Sequence, residues 1–310
     1  MMLTLRVFTP FALGYLLVSI FRSINAVIAP DLVRDLQLSA TELGFAISAF
    51  FLGATLLQLP YGVLLDRYDP RRVYAVFLLL CALGTAITAL ADGMAMLALG
   101  RGLIALGTGA SAVTSFKVYA MWFRPERLPM ANGLALAAGG LGLMAGTVPV
   151  EIALRYVDWR DVHLFVGALL AGCAMLVLTI TPAKNPGHAG VTLVGQIKGL
   201  GDILRSLAFW RAAPLLMTVI GGFGAINQLW AGSWVRDVAG LSGPEAANLL
   251  LVLATAMTLS GLLTGSLLAL ARRVELTPMG FVVAMSVVYM LILVVLALEW
   301  TPSPVVVFAT

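Results

Sequence analysis

Long runs of apolar residues, separated by short polar loops, set the pattern of this sequence. Nine of the runs are long enough to cross a bilayer, since a spanning α-helix needs roughly 20 residues. We predict spanning helices at 8–29, 41–65, 73–91, 95–119, 128–150, 160–181, 211–235, 245–271 and 278–299. The pattern therefore predicts an all-α polytopic membrane protein.

One polar interruption is much longer than the other loops and divides the chain. Within 183–210, apolar residues recur at helical spacing among charged ones, which is typical of an amphipathic helix on a membrane surface. We predict a six-helix bundle at 1–182, this segment as a cytoplasmic linker, and a second bundle at 211–310. After Pro304 only a short apolar stretch remains, so we expect the sequence to end inside a tenth helix and the second bundle to be incomplete.

The basic residues predict the orientation of these helices. Of the 19 Lys and Arg residues, twelve fall in segments on the side of the N-terminus and four on the other side. The remaining three, Arg22, Arg101 and Lys117, fall within predicted helices. Because basic loops stay in the cytoplasm, we expect a multi-pass protein of the inner (plasma) membrane with a cytoplasmic N-terminus.

Composition narrows the partners and the chemistry. The chain is 61% hydrophobic and only 11% charged, against about 25% charged in soluble proteins. The lipid bilayer is therefore its expected environment, and a net charge of +4 spread over short loops does not indicate a nucleic-acid partner. Cys81 and Cys173 lie in apolar runs and are predicted to be lone buried thiols. We expect neither a metal site nor a cofactor.

The loop between the second and third predicted helices carries a recognisable motif. Its spacing resembles motif A of the major facilitator superfamily, with Asp69 where the family usually has its second glycine. The matching residues are Gly62, Asp66, Arg67, Arg71 and Arg72. The resemblance implies a gate that helps to hold a transporter closed on the cytoplasmic side.

Two further stretches carry the same resemblance. Arg101 followed by Gly107 and Gly109 is similar to motif B in the fourth helix. Residues 122–133 resemble the inner loop between the fourth and fifth helices of bacterial facilitators. The fifth helix lacks the glycine-proline pair of drug antiporters. The resemblance implies two bundles that rock about a central site, with this chain holding the first bundle and about three helices of the second.

The motif also yields specific expectations for its residues. Gly62 should allow a close approach to a neighbouring helix. Asp66 should meet a positive partner, which in relatives includes the N-terminal end of the eleventh helix. Arg71 or Arg72 could pair with Glu126 of the next inner loop. Lys117 is expected to extend its amine to the inner interface.

The charges within the predicted helices are the main candidates for solute binding. A charge in the hydrocarbon region costs about 2.5–3.5 kcal/mol on insertion scales and needs a partner or a polar cavity. Arg22 shares a helical face with Tyr15 and Asn25, which favours a polar cavity. For Arg101, an anion site and a bracing bond to backbone carbonyls are equally open.

Other polar and small residues complete the candidate set. Gln58 on the second helix, and Asn227, Gln228 and Trp230 on the seventh, suit an organic solute. No Asp or Glu lies deep in a predicted helix, which favours a neutral or negative solute. His163 is expected at the outer surface. Four glycines are expected to pack helices closely, namely Gly142, Gly146, Gly261 and Gly265.

Together these features predict a secondary transporter of a small organic solute that is neutral or anionic, with or without a coupling ion. Three alternatives remain open at this point. They are a drug-efflux antiporter, a membrane scaffold or sensor that transports nothing, and a membrane enzyme. We find no converging nucleophile, base and metal ligands, so we do not expect an enzyme.

Overall fold

The computed structural model describes residues 2–184, 199, 201–225, 234–236, 240–273 and 278–297. These residues form long α-helices joined by loops, which confirms the predicted all-α class. In chain order the helices are α1 (Met2–Leu36), α2 (Ala40–Leu56), α3 (Gln58–Arg67), α4 (Pro70–Ala89), α5 (Met94–Trp122), α6 (Leu128–Ala145), α7 (Val148–Ala153), α8 (Trp159–Ile180), α9 (Leu207–Ala225), α10 (Gly243–Arg273) and α11 (Pro278–Ala297).

The first six predicted spans all have helical counterparts. Among the described residues, five helices are long and apolar enough to cross a membrane, and the bent pair α2–α3 makes a sixth. Helices α9, α10 and α11 occupy the places of the last three predicted spans. The seventh span was predicted to reach residue 235, but 226–233 lie outside the described residues.

Two of the spans are broken where a proline removes a backbone donor. The axes of α2 and α3 differ by 42°, and Pro60 lies in the first turn of α3. Likewise α6 ends at Ala145 and α7 starts at Val148, directly before Pro149. A proline ring clashes with the carbonyl four residues earlier, which in these two cases belongs to Leu56 and Ala145.

Helices α1 to α8 pack into one unit, here called the first bundle, around a continuous apolar core. Helix α4 lies between α5 and α8, and α1 packs against α5, α6 and α8. Glycine lets α4 and α5 approach closely, since a Cβ atom at Gly84 would lie 2.7 Å from the carbonyl oxygen of Gly100. Cys81 and Cys173 are buried in this core as free thiols, as predicted.

The predicted packing glycines have different environments. A Cβ atom at Gly142 would come within 2.8 Å of Ser19 Cβ, and one at Gly146 within 2.6 Å of the Ile20 carbonyl oxygen. Both therefore pack α6 tightly against α1. The close approach expected at Gly62 is not seen within the described residues, none of which lies within 4 Å of the position its Cβ would take. The surroundings of Gly261 and Gly265 lie outside what the structure describes.

The second half of the chain contacts the first bundle through α10. Leu250 packs with Ala26 of α1, and the Thr258 side chain lies against Gly140 of α6. Of the amphipathic linker predicted at 183–210, residues 185–198 and 200 lie outside the described set. Residues 201–205 are helical, and α9 begins at Leu207.

Candidate functional site

The first bundle has two ends, which the loop contacts define. Residues 66–72, 121–128 and 178–184 meet at one end, here called the motif end, where Lys184 Nζ donates to the carbonyl oxygen of Met121. Residues 34–39, 90–93 and 154–160 lie at the other, here called the opposite end. There Arg160 donates to the carbonyl oxygen of Ala91 over 3.2 Å.

At the motif end, Asp69 and Arg71 tie two helices together. Asp69 caps α4 by accepting the Arg71 backbone N–H at 3.1 Å, and Arg71 Nε donates to the same carboxylate at 2.6 Å. Arg71 Nη1 also donates to the carbonyl oxygens of Leu178 (3.3 Å) and Thr181 (3.1 Å) at the end of α8. A cation is favourable beside these exposed carbonyls. The predicted pairing of Arg71 or Arg72 with Glu126 stays a prediction, because the Glu126 side chain lies outside the described set.

The second ion pair of the motif joins Asp66 of α3 to Lys117 of α5. The Lys117 amine, expected at the inner interface, donates to this carboxylate at the motif end, and the Asp66 side chain is 53% exposed. Within the described residues, the positive partner of Asp66 therefore lies inside the first bundle. Arg67 and Arg72 are exposed and make no ion pair within the described residues.

At the opposite end, a charged cluster connects α1 to α8. Trp159 Nε1 donates to Asp35 at 3.0 Å, and Arg160 Nη1 lies 3.5 Å from the same carboxylate. The guanidinium carbon of Arg160 is also 4.3 Å from the centroid of the Trp159 ring. These contacts hold the start of α8, which Asp158 caps, against the end of α1.

A cavity of about 240 Å³ lies at the opposite end between the first bundle and α10. Arg236 closes one side of it, with Nη1 donating to the carbonyl oxygen of Ala26 at 2.6 Å. Glu151 and Arg155 form an ion pair of 3.0 Å on another side. This region therefore contains polar contacts between the two halves of the chain.

Arg101 lies inside the first bundle, about two turns from the start of α5, and is only 1% exposed. Tyr119 is 18 residues, or about five turns, further along α5, so the two residues share one face of that helix. Tyr119 donates to the carbonyl oxygen of Phe8 on α1, which shows that this face is turned toward α1. None of the three guanidinium nitrogens of Arg101 has a hydrogen-bond partner within the described residues. The bracing bonds to carbonyls are not seen there.

Arg22 and Asn25 lie on α1 at about the level of Arg101. Helix α1 runs antiparallel to α5, so 18 residues along α1 from Phe8 cover the same distance as the 18 residues from Tyr119 back to Arg101. They lead to Ala26, which lies one turn beyond Arg22. Arg22 is half-buried, whereas Asn25 is buried and its Oδ1 has no partner in the described part of the chain. The structure thus brings Arg22, Asn25 and Arg101 to one level.

The other sequence candidates lie at different places. Tyr15 is buried against Gly139 of α6, about two turns from Arg22 toward the motif end. Gln58 is exposed beside Gly109, about two turns along α5 from Arg101. Asn227, Gln228 and Trp230 lie outside the described residues.

His163 was expected at the outer surface, and this expectation is wrong because the residue is fully buried. Its Nδ1 lies 2.9 Å from the carbonyl oxygen of Trp159, and its ring packs against Phe21 of α1 with 5.7 Å between centroids. Arg101 is within electrostatic reach of the ring. Val162, Val166 and Leu170 are buried on the same helix, and their spacing with His163 was the signal that sequence reasoning missed.

Comparisons with known proteins agree with this architecture. The family model described as Major Facilitator Superfamily matches residues 11–310. A hexuronate transporter of Escherichia coli is 25% identical over 251 residues, covering 76% of this chain and 58% of the relative. A hexuronate transporter of Bacillus subtilis is 26% identical and covers 79% and 59%. The uncharacterized transporter YybO of Bacillus subtilis is 32% identical over 155 residues, covering 50% and 34%. The chain thus spans between a third and three fifths of these relatives.

Solved structures show the same fold. A bacterial homologue of the lysosomal transporter Spinster, in an inward-facing and unoccupied conformation, superposes with a TM-score of 0.62 at 18% identity, covering 84% of this chain and 62% of that one. A D-xylose–proton symporter gives 0.63 at 15% identity, covering 86% and 69%. At these identities the likeness concerns the fold alone.

Proposed function

Because the chain belongs to the major facilitator superfamily, we propose that it acts as a secondary transporter of a small organic anion. The solute class is a carboxylate of the size of a sugar acid. The solute crosses the inner membrane by alternating access, with the motif end in the cytoplasm.

The observation that carries this proposal is the pair of cations at one level of the first bundle. Arg101 is buried with no described partner, and Arg22 lies half-buried on the facing helix. Asp31 and Glu151 line the cavity beside Ala26, but they pair with Arg34 and Arg155, so neither Arg101 nor Arg22 has a carboxylate partner within the described residues. A buried unpaired charge is costly, and a bound anion offsets that cost.

The names of the relatives support a negative solute. They include transporters of hexuronate, galacturonate and, as a probable assignment, L-galactonate and sulfoacetate. Each of these solutes carries a carboxylate or sulfonate group, which a guanidinium can bind through two parallel hydrogen bonds. An anion site at Arg22, with Arg101 behind it, fits this chemistry.

The two ends suggest how the site is gated. The contacts of Arg236 and Leu250 with α1 close the opposite end, which in the proposed orientation faces away from the cytoplasm. We assign this arrangement to an inward-facing state. In our proposal 1–182 moves as one bundle, 211–310 belongs to the second bundle, and 183–210 links them.

The test is uptake by the protein expressed from its complete gene and reconstituted in proteoliposomes. We expect exchange of labelled D-galacturonate that unlabelled D-glucuronate inhibits and the neutral sugar D-galactose does not. Arg22→Ala should lower exchange at least tenfold, and Arg22→Lys should restore it poorly because the planar fork is lost.

Arg205→Ala is the matched control, since Arg205 is an exposed arginine outside the motif and has no ion pair within the described residues. It should leave exchange within about twofold of the unmodified protein. Equal exchange in Arg22→Ala would remove Arg22 from the site. Absence of exchange with every sugar acid tested would favour a membrane scaffold, and preference for a cationic drug would favour an efflux antiporter.

A further inference from the structure

We propose that His163 is the proton-binding residue of this transporter, so that one proton is carried with each anion. The inference deepens the proposed function and rests on its anion site at Arg22 and Arg101. The proton-binding residue would then lie on α8, whereas the two arginines of the anion site lie on α1 and α5.

The geometry places a free acceptor in the core of the bundle. His163 is fully buried five residues after the cap of α8, with its ring between Phe21 of α1 and Trp159. Its Nδ1 faces the carbonyl oxygen of Trp159, which can only accept, so Nδ1 carries the proton in the neutral ring. The lone pair on Nε2 then has no donor within the described residues. A proton added to this ring binds at Nε2.

The groups that surround the ring explain why its proton is conditional. Arg101 of α5 lies within electrostatic reach of the ring. On α4 the residue packed on Gly167, one turn further along α8, is Thr85, whose hydroxyl is neutral. Burial in the apolar core disfavours a charged ring, and the positive charge of Arg101 disfavours it further.

The other titratable groups on the packed helices lie toward the two ends of the bundle. At the opposite end are Asp158, Arg160 and Asp161 of α8, with Asp161 two residues before His163, and Asp35, which is paired with Trp159 and Arg160. Toward the motif end, Cys173 lies about three turns further along α8, and Cys81 and Tyr74 lie on α4. Among these groups, Arg101 is the charge that acts on the ring, so we assign control of its protonation to Arg101.

Anion binding weakens the electrostatic part of this penalty. A carboxylate bound at Arg22, in front of Arg101, offsets the positive charge that the ring faces, and a proton from the solution on the opposite side can then form the Nε2–H bond of an imidazolium. When the carboxylate leaves on the motif side, the imidazolium again faces the uncompensated charge of Arg101 and gives its proton to that solution. One monoanion and one proton cross together, and the step is electrically neutral.

The first experiment separates coupling from transport in the protein expressed from its complete gene. Exchange of labelled D-galacturonate needs no gradient, whereas accumulation requires a proton gradient that is acidic outside. We expect His163→Gln to retain measurable exchange but to lose accumulation at least tenfold, since the glutamine amide can keep the bond to Trp159 but takes no proton. His188→Gln, at the only other histidine of the chain, should accumulate the anion normally.

A second experiment measures the protonation of the His163 ring directly. In the His188→Gln background, nuclear magnetic resonance follows the histidine signal that is lost in His163→Gln, and Arg101→Gln should raise the affinity of that ring for protons at least tenfold. Bound D-galacturonate should also raise the affinity of His163 for protons. By thermodynamic linkage, the anion should then bind more tightly at lower pH.

Four results would contradict the inference, and one of them would also contradict the proposed function. Proton-driven accumulation by His163→Gln equal to that of the unmodified protein would overturn the assignment, as would a His163 titration that ignores both Arg101→Gln and the anion. If the unmodified protein exchanges no sugar acid at all, the proposed function fails, and the inference fails with it. Exchange without proton-driven accumulation in the unmodified protein would support the proposed function and contradict only the inference about His163.

Discussion

At the motif end, Arg71 and Lys117 make their described contacts within the first bundle, whereas at the opposite end Arg236 and Leu250 reach across to α1 from the second half of the chain. The Arg71 bonds run from the start of α4 to the end of α8, and the Lys117 bond joins α5 to the end of α3. The opposite-end contacts surround a cavity of about 240 Å³.

This difference indicates which contacts are permanent. Bonds within one bundle move with it as a body and need not break during transport. Contacts between α1 and the second half must separate before the opposite end can open. The first set should therefore determine stability, and the second should determine the population of the two states.

Removing Arg71 should have the largest effect on stability. Arg71→Ala leaves Asp69 buried without its cation and two carbonyls of α8 without a donor, at a cost of about 2–3 kcal/mol. Thermal unfolding in detergent should show a clearly lowered midpoint.

Arg72→Ala is its control, because Arg72 is the adjacent exposed arginine and has no ion pair within the described residues. It should shift the midpoint little. If both variants unfolded alike, the bond between α4 and the end of α8 would not be what holds the motif end together.

Removing Arg236 should change populations more than stability. Arg236→Ala loses the bond to the Ala26 carbonyl, and a contact worth about 1–2 kcal/mol shifts the equilibrium between states by roughly five- to thirtyfold. The measurement is the labelling rate of Val27→Cys, which lines the cavity, by an impermeant maleimide in a background without Cys81 and Cys173.

Arg155→Ala provides the comparison, since the described ion pair of Arg155 is with Glu151 of the same bundle. Its labelling rate should stay near that of the parent. A faster rate in Arg155→Ala than in Arg236→Ala would reverse the assignment of the contact between the two halves.

The smallest effect is expected at Asp66. Its carboxylate is half exposed, so Asp66→Asn should alter stability by less than about 1 kcal/mol. We nevertheless expect slower exchange, because the family motif places this residue in the gate. The double variant Asp66→Lys with Lys117→Asp should recover part of the rate if their contact is what matters. Equal exchange in Asp66→Asn and the parent would leave the pair with no role in gating.

The sequence was sufficient for the helices and for the membrane. Runs of about 20 apolar residues can bury their backbone polar groups in lipid only as helices, so the six spans of the first bundle followed from local composition. The thiols Cys81 and Cys173 were predicted to be buried for the same reason. Spacing also identified Gly142 and Gly146 as packing residues, although not that their partner is α1.

Tertiary structure decided which residues meet. Helical periodicity gives the face of a side chain but not the helix that covers it, so the contact of Asp66 with Lys117 of α5 could not be predicted. No described residue packs where a side chain at Gly62 would lie. His163 looked exposed and is buried by Phe21, from a helix more than a hundred residues earlier. The apolar runs alone specify insertion into a membrane, whereas pairing depends on how the helices register against one another, and that is set by contacts distant in sequence.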